Sequence, residues 1–181
     1  TTGGGGMVLT RSEKLAASVR RLAHHGLSRA DGASTTLGGN YRLPAFQAAL
    51  GLSQLKRLEE SIKAKAQTTG DYMMTLPDGI DYQVPPMAGV MPNFWMPAFL
   101  LDRPAAPVIS ALATQGVQAR AVWWPLHRQP WFATGQSMPV ADDLHQRGII
   151  LPCSVGLSAT DRTAVVAALR CVLDTADGAA P

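Results

Sequence analysis

Three tryptophans crowd one imidazole in the run Trp123-Trp124-Pro125-Leu126-His127-Arg128-Gln129-Pro130-Trp131-Phe132. Histidine changes charge nearest neutral pH, so a ring in an aromatic wall suits ligand contact or proton carriage. It equally suits a hydrogen-bonded structural ring, and the sequence leaves both readings open. Asn40-Tyr41-Arg42 stands between a Gly-, Ser- and Thr-rich stretch and a helix start. An amide, backbone N–H groups and a guanidinium at such a point could hold phosphate. The other reading is an Asn turn beside an exposed Arg. The run Gly3 to Gly6 could cradle a phosphate with its N–H groups. However, no Gly-Lys-Ser/Thr follows it, and it precedes a predicted strand, the wrong order for a dinucleotide fold. A flexible turn is the better reading.

Other chemistry finds little support. No Gly-x-Ser-x-Gly elbow is present, so no Ser-His-Asp arrangement can be traced. Adjacent carboxylates occur at Asp142-Asp143 and Glu59-Glu60, both read as surface pairs. Cys153 and Cys171 are the only cysteines and show neither C-x-x-C nor a nearby histidine. That argues against a zinc site or a disulfide framework and for two small buried thiols in a reducing, cytoplasmic setting.

The elements that must carry these residues follow from periodicity. Met7 to Thr10 is predicted as a short strand. Ser12 caps a helix running to about His25, with Leu15, Val19 and Leu22 on one face and Gly26 closing it. Residues 26–41 form a loop. Pro44 opens a second helix with Ala48, Leu52, Leu55, Leu58 and Ile62 along one face, continuing unbroken to about Met74. Within it Glu59 and Lys63 make a favourable i,i+4 pair. Pro77 and Gly79 end it, and Pro85, Pro86, Gly89 and Pro92 mark a linker. Beyond the linker lie a buried strand over Asn93 to Asp102, a helix from Val108 to Gln115, and a strand from Ala119 to Trp124. A short helix from Val140 to Gln146, a strand from Gly148 to Pro152 and a last helix capped by Ser158 complete the chain. Pro97 places the first of these strands at a sheet edge or a bulge. Alternating strands and helices imply an α/β or α+β unit. The domain boundary is drawn at 79/80.

A chain of 181 residues is one domain or one domain with a small appendage. Charged residues are 16%, below the roughly 25% of typical soluble domains, which excludes a disordered charged tail and points to a covered surface. Residues 1–70 carry ten Lys or Arg against four Asp or Glu, and residues 71–181 carry six against nine. The basic half could meet an anion, or it could simply be solvated helix faces. No run of about 18 apolar residues predicts a membrane span.

Taken together, Thr1-Thr2-Gly3-Gly4-Gly5-Gly6-Met7-Val8-Leu9-Thr10, Gly39-Asn40-Tyr41-Arg42-Leu43-Pro44, Gln47-Ala48-Ala49-Leu50-Gly51 with Gln54-Leu55, Pro125-Leu126-His127 with Pro130, and Ala141-Asp142-Asp143-Leu144 leading to Leu151-Pro152 resemble the DegT/StrS family of PLP-dependent nucleotide-sugar aminotransferases. The likeness runs over nearly the whole chain. It implies an α/β fold, the fold-type I PLP-dependent transferase architecture, represented by its C-terminal portion. That portion comprises the edge of the large PLP-binding domain with the long connecting helix (1–79) and a small α/β domain (80–181).

It further implies pyridoxal 5'-phosphate as cofactor, with Asn40 reaching the cofactor phosphate of the other subunit of a homodimer. Arg42 would lie near the substrate's phosphates across that dimer, and His127 would face the sugar-nucleotide. The Schiff-base lysine of the family would lie about three positions before Thr1, so none of Lys14, Lys56, Lys63 and Lys65 matches it and no catalytic residue is assigned. The implied reaction passes nitrogen from glutamate to a keto sugar on a nucleotide, a UDP-4-keto-6-deoxy sugar by the look of Asn93-Phe94-Trp95 and the His127 wall. The setting would be polysaccharide or antibiotic-sugar synthesis. No metal, nucleic acid or membrane partner is implied. The chain by itself is expected not to turn over. Three other readings remain: a sugar dehydratase of the same family, a basic anion-binding module, and a noncatalytic assembly piece.

Overall fold

The computed structural model describes residues 1–28, 32–82 and 88–177, with side chains to residue 175. Two compact units emerge, Thr1–Glu59 and Glu60–Pro181.

In the first unit, α1 (Glu13–Leu22) begins where predicted. Ser12 Oγ accepts from the Leu15 N–H at 3.2 Å, and Glu13 sits at the positive end of the helix dipole. The helix closes on two left-handed residues, His25 (φ 55°) and Gly26 (φ 70°). A Cβ at Gly26 would run into the Thr36 carbonyl, so that position admits only glycine. Met7 to Thr10 is not a strand. Its Met7, Val8 and Leu9 stand exposed, and no described segment pairs with them.

The predicted long helix is two helices, α2 (Ala45–Leu55) and α3 (Leu58–Thr75). Between them the chain tightens, with the Arg57 N–H donating to Gln54 O at 3.0 Å in a three-residue step. Neither Pro nor Gly marks the break. Pro44 caps α2 from just outside it. No residue of α1 or α2 is buried.

The second unit has a core of its own. Four short strands, β1 (Asp81–Tyr82), β2 (Ala98–Leu100), β3 (Arg120–Ala121) and β4 (Gly148–Ile150), form an antiparallel sheet in the order β1-β2-β4-β3. Phe99 pairs with Ile149, and Ala121 pairs with Ile149 from the other side. All three residues of β4 are buried, which explains its unbroken Gly-Ile-Ile run. Three helices, α4 (Ala105–Thr114), α5 (Pro139–Arg147) and α6 (Ala159–Asp177), complete the unit. Leu112 of α4, with Val165, Leu169 and Val172 of α6, joins Phe99, Ile149 and Leu151 in the core.

The α6 cap is reciprocal. Ser158 Oγ accepts from the Asp161 N–H, and Asp161 Oδ2 accepts from the Ser158 N–H and hydroxyl. Pro97 does not mark an edge. It is buried one residue before β2, and β2 is flanked by β1 and β4, so the proline loses no ladder bond. The predicted strand over Asn93 to Asp102 therefore contracts to three residues. The predicted linker lies partly at residues 83–87, outside the described residues.

The units part at Glu59/Glu60, whereas the sequence places the boundary at 79/80. The reason is α3: its Thr68, Thr69 and Tyr72 are buried. Tyr72 meets Phe99 edge to face at 6.1 Å, and its hydroxyl donates to Pro152 O at 2.8 Å.

Candidate active site

Asn40 and Arg42 belong to the first unit, on an extended segment that runs back along the end of α1. Gly39 N–H donates to Leu22 O (3.0 Å), His25 N–H to Gly39 O (3.0 Å) and Tyr41 N–H to Ala23 O (3.1 Å). Asn40 thereby bridges His24 in antiparallel fashion. The backbone is tied down while the Asn40 and Arg42 side chains stay exposed. Among the described residues neither side chain makes a hydrogen bond or ion pair. Being two apart on an extended chain, they share a face. Arg42 also borders a cleft of about 960 Å³ lined by Arg20, Arg21, His24, Ser28 and Thr35. With Arg20, Arg21 and Arg42 together, this is a cationic surface suited to phosphate oxygens.

The glycine run lies in the same unit. Gly3 (φ 77°) and Gly5 (φ 112°) take conformations that glycine permits. Thr2 Oγ1 donates to Gly4 O at 2.6 Å, and Thr2 O accepts from Gln47 Nε2 of α2 at 2.9 Å. The run is a shaped turn pinned to a helix.

His127 belongs to the second unit, in a 3₁₀ turn over Leu126–Arg128. Its Nε2 is 3.0 Å from Asp142 Oδ1, and Arg128 Nε is 2.6 Å from the same oxygen. Neither N–H is aligned on that oxygen, so both side chains approach the carboxylate closely without an in-line hydrogen bond. The His127 side chain is 14% exposed and the Asp142 side chain 27%. Asp142 is in the first turn of α5, where a carboxylate is favoured by the helix dipole.

The pair Asp142-Asp143 is thus no plain surface pair. Asp142 draws together His127 and Arg128, while Asp143 takes a two-point contact from Arg147 at 2.6 and 2.7 Å. That guanidinium holds the Asp143 carboxyl below its usual range. Glu59 and Glu60 are exposed, as the sequence implies. The two thiols are free but not buried: Cys153 is half-buried and Cys171 exposed. Among the described residues no group of three or more His, Cys, Asp or Glu could hold a metal ion.

Sequence reasoning missed Lys65. Its ammonium donates to Trp95 O (3.0 Å) and Cys153 O (2.8 Å) and lies 3.8 Å from the Cys153 sulfur. In a Lys-Ala-Lys-Ala helix, nothing local distinguishes it from a solvated lysine. It missed Asp142 for the same reason, since that contact joins residues fifteen apart through a turn and a helix start.

The fold defines a class. It matches about half of a solved aminotransferase: TlmJ from Streptoalloteichus hindustanus superposes with TM-score 0.88 at 26% identity, over 97% of this chain and 49% of that one. The architecture is the fold-type I arrangement of PLP-dependent transferases. The DegT/DnrJ/EryC1/StrS aminotransferase family pattern matches residues 1–170, and the chain belongs to that family. It is 30% identical to the putative pyridoxal phosphate-dependent aminotransferase EpsN of Bacillus subtilis, over 98% of this chain and 48% of that protein. It is 32% identical to the GDP-perosamine synthase of Caulobacter vibrioides, over 96% of this chain and 49% of that one. The chain therefore spans about half the length of the relatives it matches.

Proposed function

We propose that this chain is the C-terminal portion of a PLP-dependent aminotransferase that moves an amino group from glutamate to a keto sugar carried on a nucleoside diphosphate. The observation that carries the reading is the Asn40–Arg42 segment. It pairs a rigid backbone with two exposed, unengaged donor side chains, in a chain that belongs to this family. The names of its relatives include GDP-, dTDP- and UDP-linked sugars, so a nucleotide sugar is what they share.

The donor set fits the cofactor. The Asn40 amide supplies N–H groups for the phosphate of pyridoxal phosphate, and Arg42, beside the Arg20–Arg21 cleft, supplies charge for the substrate's diphosphate. When bound, the cofactor supplies the electron sink for amino transfer. His127, held by Asp142, lines the sugar side and keeps one ring nitrogen for contact or proton transfer. Lys65 is committed to two carbonyls and cannot serve as the amine partner. In this reading that lysine belongs to the half of the family's length that this chain does not span.

The first unit also supports a homodimer. No residue of α1 or α2 is buried, and Leu52, Leu55 and Phe46 stand exposed, an apolar surface suited to contact with a second subunit. No helix among the described residues is long and apolar enough to cross a membrane. The free thiols support a cytoplasmic site, and the relative named for spore coat polysaccharide biosynthesis supports a role in polysaccharide assembly.

The test begins with the intact mass of the purified protein, followed by amino transfer from glutamate to UDP-, GDP- and dTDP-4-keto sugars, read as 2-oxoglutarate release. The full protein is expected to release it and the 181-residue chain alone is not. Silence of the full protein on all three substrate classes, or turnover by the short chain, overturns the reading.

A further inference from the structure

The second unit displays a feature that neither its core nor the His127 cluster requires. Trp95 and Trp123 stack with ring centroids 5.8 Å apart and planes 24° from parallel, yet they are 60% and 59% exposed. Two indoles that needed only burial would sit in the core, as Tyr72 and Phe99 do.

The backbone behind them is built with care. Asn93 Oδ1 accepts from the Trp95 N–H at 3.0 Å, and Phe94 between them is held at φ 51°, a left-handed conformation that an aromatic residue rarely adopts. Lys65 grips the Trp95 carbonyl from α3, and the Cys153 thiol donates to the same oxygen at 3.4 Å. Trp123 is fixed independently. The preceding Val122 N–H donates to Gly148 O, and the neighbouring Trp124 ring turns away onto His145 at 5.2 Å. Strain of this kind persists where surrounding structure enforces it, and it clusters at ligand sites. Two separately anchored, nearly parallel rings with an open face continue naturally into a third planar ring.

We propose that Trp95 and Trp123 form a stacking ledge for the nucleobase of the substrate, with Lys65 as the residue that positions it. The proposal rests on the nucleotide-sugar reading above. Stacking on indole is tolerant of base identity, because every base has a π-face. That matches a family whose members' names carry guanine, thymine and uracil nucleotides. The ledge lies on the chain that leads, four residues after Trp123, to His127.

The test uses the complete protein, with UMP, GMP and ribose 5-phosphate as probes and the indole N–H resonances as the readout. UMP and GMP are expected to shift the Trp95 and Trp123 signals, and ribose 5-phosphate is not. Trp123→Leu weakens UMP binding by about tenfold or more, while Trp123→Phe, which keeps a ring, stays within a few-fold. Lys65→Met weakens UMP binding while leaving the far-ultraviolet circular dichroism unchanged.

Three results would overturn the ledge. The first is equal indole shifts with ribose 5-phosphate. The second is unchanged UMP affinity in Trp123→Leu. The third is protection of both indoles from acrylamide in nucleotide-free protein, which would mean that polypeptide already covers them. Its failure is separable from that of the proposed function. An unaltered KM for the nucleotide sugar in Trp123→Leu sinks the ledge alone. Nucleotide binding at the ledge in a protein that transfers no amino group sinks the enzyme reading alone.

Discussion

The helices of the first unit bury nothing, while those of the second enclose a core in which Leu112, Ile149 and Leu169 are fully buried. Both regions have capped helices and ordinary apolar periodicity. The difference is what lies opposite the apolar face. In the second unit a four-stranded sheet meets α4 and α6. In the first, Leu15, Leu22, Leu52 and Leu55 remain 43–65% exposed. Local helix signals are thus satisfied in both, but only one region is stabilised by its own packing. Asn40 and Arg42, which we propose as phosphate donors, lie exposed on the region whose helices bury nothing.

The contrast is broken most sharply by truncating one apolar side chain in each region. Phe99→Ala is expected to cost about 3–5 kcal/mol, because it opens a cavity beside Tyr72, Tyr82 and Ile149. Leu52→Ala, already 65% exposed, is expected to stay within about 0.5 kcal/mol in the 181-residue chain. Urea unfolding of both variants decides the matter. A comparable loss in Leu52→Ala would mean that the first unit has a core of its own under these conditions. In the complete protein the same substitution should cost more, and that increase measures what covers the unit.

Much of the second unit was legible. The Ser158–Asp161 cap, the end of α4 just before Gly116, and the buried Val165-Leu169-Val172 stripe all follow from local chemistry. What failed were inferences needing a distant partner. Met7 to Thr10 has strand composition but no neighbour to pair with. The break at Lys56–Arg57 interrupts an apolar face that reads as continuous, and no breaker residue announces it. Pro97 is a sheet-edge signal only if the strand includes it, and the strand starts one residue later.

The site divides the same way. The backbone partners of Asn40-Tyr41-Arg42, at the end of α1, are near in sequence. The Lys65 clip spans 30 and 88 residues and left no local trace.

A smaller effect sharpens the comparison within α3, which joins the two regions. Tyr72→Phe keeps the edge-to-face contact with Phe99 and removes only the donor to Pro152 O. That hydrogen bond is worth about 0.5–1.5 kcal/mol net, with the orphaned carbonyl setting the upper part of the range. Burial pushes the Tyr72 phenol up, so it remains a donor throughout the neutral and mildly alkaline range. Chemical denaturation should show the loss at pH 7 and at pH 9 alike. A loss that vanishes by pH 9 would mean the phenol ionises there and the core is wetter than the geometry implies.

The smallest effect is the pH dependence of the second unit, and its sign follows from three carboxylates. Asp102 is held low by its hydrogen bonds from Arg103, Asp143 by those from Arg147, and Asp161 by those from Ser158. Each is more acidic folded than unfolded. Its contribution is therefore complete above the ordinary carboxylate range and is lost as pH falls through the lowered folded value. Stability should be flat from neutrality to about pH 5 and should decline below about pH 4 as these groups take up protons. Asp161→Asn separates charge from capping, since an amide oxygen still accepts from the Ser158 N–H while no longer titrating. Its stability at pH 7 should fall by the share the charge contributes, and its acid slope should be shallower, as measured by urea midpoints from pH 7 to pH 3. An unchanged slope would mean that Asp161 titrates alike in both states, leaving Asp102 and Asp143 to carry the acid sensitivity.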